Sequence, residues 1–216
     1  ELGLGQDLVV AVKNHEYPAH MPEAKRSLAL IYAVNPFGAD HQSHQHDPTY
    51  QAYGDRMAQL GLLDPRPSDT LDTEKVRFTV YTQRWNSITD SVSVCQFVWG
   101  PAWHLYDANQ LVELVRAVTG WNTSLWELMK VGERRLNMLR AFNAREGVGS
   151  EADTVPAKVL APLKGGPSDG VGVTVEEVEE AKAIYYRMCG WDDGGRPTRA
   201  KLEELALGWL ADDLGL

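Results

Sequence analysis

The residues best suited to chemistry are a histidine group and two cysteines. His41, His44 and His46 stand close together, bracketed by Asp40 and Asp47. Imidazoles and carboxylates at that density could ligate zinc or another divalent ion. The plainer alternative is a polar surface loop whose histidines face water. Cys95 ends the run Asp90-Ser-Val-Ser-Val-Cys95 on what reads as an apolar helix face. A lone cysteine there is ordinarily a small buried hydrophobe. Cys189, in Tyr185-Tyr-Arg-Met-Cys-Gly-Trp191, reads as structural for the same reason. The charges at Lys13 and Glu16, at Arg134 and Arg135, and from Arg140 to Glu146 read as solvated helix surface. Exposed pairs of that kind contribute about 0–1 kcal/mol each. No G-x-S-x-G, P-loop or C-x-x-C occurs, and the glycines near 165–172 lack a preceding strand, so they mark only a loop.

The elements that must position these groups read as helices. From Glu23 to Val34 the apolar positions suit a buried helix stopped by Asn35-Pro36. A polar loop over 38–49 precedes a short helix from about Tyr50 to Leu62. Residues 71–97 are rich in β-branched types, but Val76, Val80, Trp85, Ile88, Val92 and Cys95 recur near helical spacing. Length favours one helix there. Asp107–Gln110 and Ser124–Glu127 resemble capping boxes, and the second opens a long helix closing at Gly147. An extended loop over 148–173 leads to a helix capped at Thr174 and ended by Gly190. Pro197-Thr198 starts the last helix, which runs to about Leu207. With no repeat and no convincing strand pair, the fold class is all-α.

Composition narrows the function. The chain has 216 residues, 44% apolar and 24% charged, which is ordinary for a folded protein. Thirty acidic residues against twenty-one basic ones give a formal charge of −9. That balance argues against non-specific binding to nucleic acid or anionic membrane, since both require a positive field. No apolar run reaches the roughly 18 residues of a membrane span, and no signal segment opens the chain. Two cysteines exclude a disulfide-rich secreted scaffold, so a cytoplasmic setting fits best. The chain begins at Glu1, in a segment to Val12 that reads as the end of a helix already under way. The expected organisation is therefore residues 1–22 as the end of a preceding helical domain and connector, then a helical domain over 23–216.

Several pieces together resemble the tungsten-pterin aldehyde:ferredoxin oxidoreductase family. Gly132-Glu-Arg-Arg-Leu-Asn-Met-Leu-Arg-Ala-Phe-Asn-Ala-Arg-Glu-Gly147 is similar to its G-E-R helix running into R-x-F-N-x-R-E-G. Asp153-Thr-Val-Pro156 is similar to its D-x-L-P, and Val12-Lys-Asn-His-Glu-Tyr-Pro18 to its V-K-G-x-E-x-P. Gly38-Ala-Asp-His41 looks like G-A-x-H, and Asp90 to Cys95 like D-S-x-G-L-C. The closing Y-Y-x-x-x-G-W-D-x-x-G-x-P is matched from Tyr185 to Pro197. These blocks keep the family order over nearly the whole chain.

The resemblance implies a multihelical C-terminal domain and a set of site residues. Cys95 matches the fourth cysteine ligand of a [4Fe–4S] cluster. Asp90 and Val94 fall at cofactor-binding positions, Asp90 at a pterin ring nitrogen. His41 matches a histidine beside the tungsten centre, in a catalytic role. Oxidising an aldehyde to an acid releases protons and two electrons, so a base near neutral pKa and an electron conductor are both needed. His44 and His46 match nothing and are expected to point elsewhere or be mobile. Phe37 and Ser43 stand where the family usually carries arginines, Ser93 where it has glycine, and Glu23 where arginine follows an Asp-Pro. Losing the guanidinium fork points to a divergent branch with another carbonyl or thioester substrate.

The family's N-terminal pterin domain and the C-x-x-C-x-x-x-C segment with the other cluster ligands are expected to lie outside this chain. Tungstopterin, or molybdopterin, and the cluster then belong to a longer enzyme, and this chain alone should hold neither and be inactive. Its expected partners are those missing parts, a ferredoxin-like acceptor and a second copy of itself. Two alternatives stand beside this reading: a non-enzymatic helical assembly module, and a metal-binding domain built on His41, His44 and His46.

Overall fold

The computed structural model describes residues 9–100 and 105–216, so Trp103 and most of the N-terminal segment lie outside it. The described chain opens with a minimal antiparallel hairpin, β1 (Ala11–Val12) and β2 (His15–Glu16), which pairs Val12 with His15. The helix expected to end at Val12 is therefore not what Ala11 and Val12 form. Lys13 and Asn14 both take positive φ, 51° and 61°, giving the two-residue turn whose twist suits paired strands.

Eleven α-helices follow among the described residues. They are α1 (Ser27–Val34), α2 (Asp47–Ala52), α3 (Gly54–Ala58), α4 (Thr73–Ser91), α5 (Gln96–Trp99) and α6 (Ala108–Thr119). Then come α7 (Leu125–Arg145), α8 (Ala157–Leu160), α9 (Val175–Cys189), α10 (Arg199–Glu204) and α11 (Gly208–Asp213). The all-α class is what the structure has, the short hairpin aside. No helix among the described residues is long and apolar enough to cross a membrane.

The β-branched run over 73–91 is helical, and its threonines show how. Asp72 caps α4 by accepting from the Lys75 amide at 2.9 Å. Thr79 and Thr82 donate their hydroxyls to the carbonyls four residues back, at 3.0 and 2.8 Å. Satisfied within the helix, these hydroxyls can be buried without penalty. Helix α4 is thus free to run through the centre. On one side Val76 and Val80 join Leu28 and Ile31 of α1 and Tyr185 of α9. On the other Phe78, Trp85 and Ile88 pack with Met57, Leu111 and Leu128.

Four boundaries differ from the sequence reading, the first being that the helix expected over 71–97 stops at Ser91 and α5 begins separately at Gln96. Helix α1 starts at Ser27 because the Arg26 amide is drawn to the Ser68 carbonyl at 2.9 Å and the Ser27 amide to Asp47. The helix expected over 50–62 is split into α2 and α3 at Tyr53, whose ψ of 44° departs from the helical range. The helix expected to run to about Leu207 stops at Glu204, where Ala206 takes φ 59° and the Leu207 amide bonds back to Leu202 at 2.7 Å, and an unexpected α11 follows.

The expectation of solvated charge fails at Arg140 and Lys13. Arg140 is fully buried on α7 and meets Asp153, itself fully buried, while Lys13 Nζ lies 2.7 Å from the same carboxylate. Tyr186 of α9 donates its hydroxyl to Asp153 as well. One buried anion thus ties the hairpin turn, α7 and α9 together, so these charges serve the interior.

Candidate functional site

The loop carrying the histidines is built by short-range bonds. Asp40 caps the 3₁₀ turn His41–Ser43, accepting from the Gln42 amide at 2.9 Å and the Ser43 hydroxyl at 2.8 Å. Gly38, just before it, approaches the hairpin so closely that a Cβ would lie 2.5 Å from the Val12 carbonyl oxygen. From α4, Asn86 donates to the Gln42 carbonyl at 2.8 Å and accepts from Gln45 at 3.3 Å. The loop is therefore fixed to α4 one turn before Asp90.

Asp90 and Cys95 are placed by the way α4 stops. The Ser93 amide bonds back to Asp90 at 3.2 Å and the Val94 amide to Thr89 at 3.0 Å, with Ser93 at φ 58°. That is a Schellman stop, which favours glycine at the position Ser93 fills. Val94 packs against the core beside Val92, while Cys95 emerges in extended conformation with its free thiol exposed. Taken alone, Cys95 read as a buried hydrophobe; its thiol is instead exposed, because the stop turns the chain outward. Cys189 is the buried thiol, and burial pushes it up to about 11.

His41 faces a cavity of about 200 Å³ also lined by His20, Lys25, His44, His46, Gln96 and Phe97. Gln96 follows Cys95 directly and donates to Asp90 at 3.3 Å. Gln96 thus joins the wall of the His41 cavity to Asp90, with Cys95 the residue before it. Asp90 also pairs with Arg135 of α7 at 3.2 Å, beside Phe37 and Ser43 in a narrow cleft.

His44 and His46 do not point elsewhere. The rings of His20, His41 and His46 cluster with centroids 4.7 to 5.7 Å apart. Lys25 Nζ bonds to Nδ1 of His20 at 3.0 Å and of His46 at 2.8 Å. His46 therefore carries its proton on Nε2, which donates to the His41 carbonyl at 3.1 Å. Burial, with Lys25 adding to it, pulls His46 down to about 4. Burial also lowers His20 and His41, Asp40 opposing it at His41 and Lys25 adding to it at both. His44 is held well below the usual histidine range, by burial first and then by His46 and Lys75.

Sequence reasoning missed His20 and Lys25. They lie outside the dense run and enter the cluster only through the fold. It missed as well a fully buried pair, Lys75 with Asp47, to which Ser27 donates its hydroxyl. Buried polar positions inside the apolar run after Glu23 were the available signal. Among the described residues no three His, Cys, Asp or Glu side chains are arranged to hold a metal ion. The ammonium of Lys25 at two imidazole Nδ1 atoms opposes a second cation there.

The family model described as "Aldehyde ferredoxin oxidoreductase, domains 2 & 3" matches residues 1–207. The chain belongs to the aldehyde ferredoxin oxidoreductase family. It is 30% identical over 207 residues to the tungsten-containing aldehyde ferredoxin oxidoreductase of Pyrococcus abyssi, covering 94% of this chain and 31% of that one. It is 28% identical over 126 residues to an aliphatic sulfonate oxidoreductase, WOR-like subunit, of Pyrococcus furiosus, covering 55% of this chain and 19% of that one. The fold is shared with a chain of the benzoyl coenzyme A reductase active-site complex BamBC, TM-score 0.66 at 18% identity, covering 94% of this chain and 33% of that one. The chain spans about a third of the length of the tungsten relatives it matches. The Pyrococcus abyssi and Pyrococcus horikoshii relatives are named as tungsten-containing enzymes. The Cys95 thiol is exposed and open to an incoming group, whereas the Asp90 carboxylate is met by Arg135 and Gln96.

Proposed function

We propose that this chain is the C-terminal helical part of a tungsten- or molybdenum-pterin, iron–sulfur enzyme that oxidises aldehydes to carboxylic acids. An aldehyde and water become the acid, two protons and two electrons, and the electrons leave through a [4Fe–4S] cluster to a ferredoxin-type acceptor. The observation that supports the reading is the Schellman stop of α4, after which Cys95 is exposed and Gln96, bonded to Asp90, lines the His41 cavity.

Bound tungstopterin would supply the two-electron oxidation, and the cluster would divide the pair into single electrons. Cys95 is the fourth cluster ligand, Asp90 and Val94 hold the pterin, and the remaining ligands lie in the rest of the enzyme. His41 serves as base. Its Nε2 accepts from the Gln42 side-chain Nε2–H at 3.0 Å and its Nδ1 lies 4.0 Å from Asp40. Its neutral form is favoured by burial, and Nε2 is free to take a proton as water adds to the carbonyl once the Gln42 side chain turns away. Arg135 brings a guanidinium to the cleft of Phe37 and Ser43, the positions where the family's arginines are missing. The exposed side chains of Phe142 and Trp209 meet the absent pterin domain. The isolated chain is inactive, and the working enzyme is cytoplasmic.

Phe37, exposed in place of an arginine, favours a second reading in which the scaffold persists without chemistry. One experiment separates the two. The chain is expressed together with its upstream reading frame, and metal content, cluster signal and aldehyde oxidation are measured. Cys95→Ser should lose the cluster signal, and His41→Gln should keep metal and cluster while oxidation falls about 10²–10⁴-fold. Full cluster signal in Cys95→Ser, or no pterin metal in the assembled wild type, overturns the proposal.

A further inference from the structure

Among the described residues, four imidazoles gather around one partly buried lysine, and each has one lone pair to place. Lys25 sets its Nζ 3.0 Å from His20 Nδ1 and 2.8 Å from His46 Nδ1. Burial pulls Lys25 down, and the Asp47 carboxylate opposes that, favouring the ammonium. An ammonium has donors and no acceptor, so both Nδ1 atoms accept and both rings carry their proton on Nε2. His46 agrees from its other side, where Nε2 meets the His41 carbonyl at 3.1 Å. Two of the four lone pairs are thus spent on a cation. Protonating either ring would set a second positive charge against Lys25 at hydrogen-bond distance.

The third lone pair belongs to His44. Its Nε2 lies 2.8 Å from the Ser27 hydroxyl, which gives its proton to Asp47 and so accepts from His44 Nε2–H. The lone pair left on Nδ1 is sealed inside the protein, out of reach of solvent and cavity alike. His41 differs from the other three. Its Nε2 accepts from the neutral Gln42 side chain at 3.0 Å, and its Nδ1 side looks toward Asp40, 4.0 Å away. A proton reaches that lone pair without displacing a cation. The remaining charges of the cluster are Asp47 and its partner Lys75, which lie behind His44.

Lys25 places the His41 ring as well. His20 and His46, both tied to Lys25, stand with centroids 4.7 and 5.7 Å from it and wall it on two sides. His46 also holds the His41 carbonyl, while Asp40 caps the turn in front.

We propose that Lys25 is the positioning residue of the base: by tying up His20 and His46 it leaves His41 as the ring of this cluster that takes the proton. The assignment deepens the reading of His41 given above and rests on it.

The test begins with the unaltered chain, labelled with ¹⁵N, and long-range spectra of its imidazoles at neutral pH. His20, His44 and His46 should each appear as the Nε2–H tautomer, and His41 as Nδ1–H. In Lys25→Met, His20 and His46 should become mixtures of both tautomers. Lys25→Arg keeps a cationic donor and should keep the fixed form. The assembled enzyme gives the second readout. There Lys25→Met should lower kcat about 10–100-fold with KM unchanged, as a displaced catalytic group does, and Lys25→Arg should recover most of it. A lysine that merely filled space would be replaced by methionine without change in either readout. The spectrum of the unaltered chain needs no variant to fold. His20 or His46 found as Nδ1–H, tautomers unmoved in Lys25→Met, or an unchanged kcat overturns the proposal. If the tautomers stand as described and the assembled enzyme oxidises no aldehyde, the lone-pair assignment stands and the reaction fails. If the enzyme oxidises aldehydes and His46 is Nδ1–H, the reaction stands and Lys25 loses its role.

Discussion

Arg140 and Asp153 form an ion pair from which solvent is wholly excluded, Nη1 donating to Oδ1 at 2.9 Å. Nη2 lies 2.8 Å from Oδ2 as an ionic contact off the hydrogen-bond axis. Lys13 and Tyr186 meet the same carboxylate, so removing its charge strands two cations at once. Asp153→Asn should therefore destabilise the fold by about 3–5 kcal/mol, the cost of breaking a buried pair. Urea unfolding reads this directly. A loss under about 1 kcal/mol would show that water reaches the site.

Gly132 marks where α7 crosses α4. A Cβ there would lie 2.1 Å from the Arg84 carbonyl oxygen, which belongs to the backbone and cannot rotate away. Alanine normally favours a helix over glycine by about 1 kcal/mol. Here overpacking should outweigh that gain, for a net loss of about 1–3 kcal/mol in Gly132→Ala. A thermal melt shifted upward would contradict the close approach.

Acid should weaken the histidine cluster. His46 sits near 4 in the folded protein and near the ordinary histidine value when unfolded, so between those pH values the unfolded chain binds more protons. Stability is then complete above the ordinary value and falls as the pH drops toward 4. Each such histidine adds a slope of up to about 1.4 kcal/mol per pH unit, and His20, His41 and His44 shift in the same direction. Urea midpoints at pH 7, 6 and 5 should decline progressively, and His46→Gln should flatten the decline. A flat profile from pH 7 to 5 would show the rings to be solvated.

How much of this was legible in the sequence depended on whether a signal was local. The caps at Asp107, Ser124 and Thr174 accept from the amides three residues on, as their spacing announced. A helix within 71–97 was legible by periodicity against its β-branched composition, though its stop at Ser91 was not. Its buried threonines blurred that periodicity, since they satisfy their hydroxyls internally. The hairpin was not legible, because it rests on two positive-φ residues that carry no glycine. At the site, Asp90, Cys95 and His41 stood out through motif resemblance. His20 and Lys25 did not, for their role is created by folding the pre-helix segment against the histidine loop. Arg140 looked like one more surface charge because nothing local says that Asp153 will lie opposite it.

The two cysteines should behave as opposites. Cys95 is exposed directly after the stop of α4, whereas Cys189 lies buried against Tyr185 with its thiol pushed up to about 11. At pH 8 that leaves roughly one Cys189 in a thousand as the reactive thiolate, before access is considered. A water-soluble disulfide reagent should thus titrate one thiol in the native protein and two after unfolding in urea. Cys95→Ser should remove the native reaction entirely. In the assembled enzyme, loaded with iron and sulfide, the native reaction should vanish without any substitution and return when the iron is chelated. That protection distinguishes a cluster ligand from a thiol that is merely exposed. Continued fast labelling of Cys95 in the loaded enzyme would remove it from the ligand set.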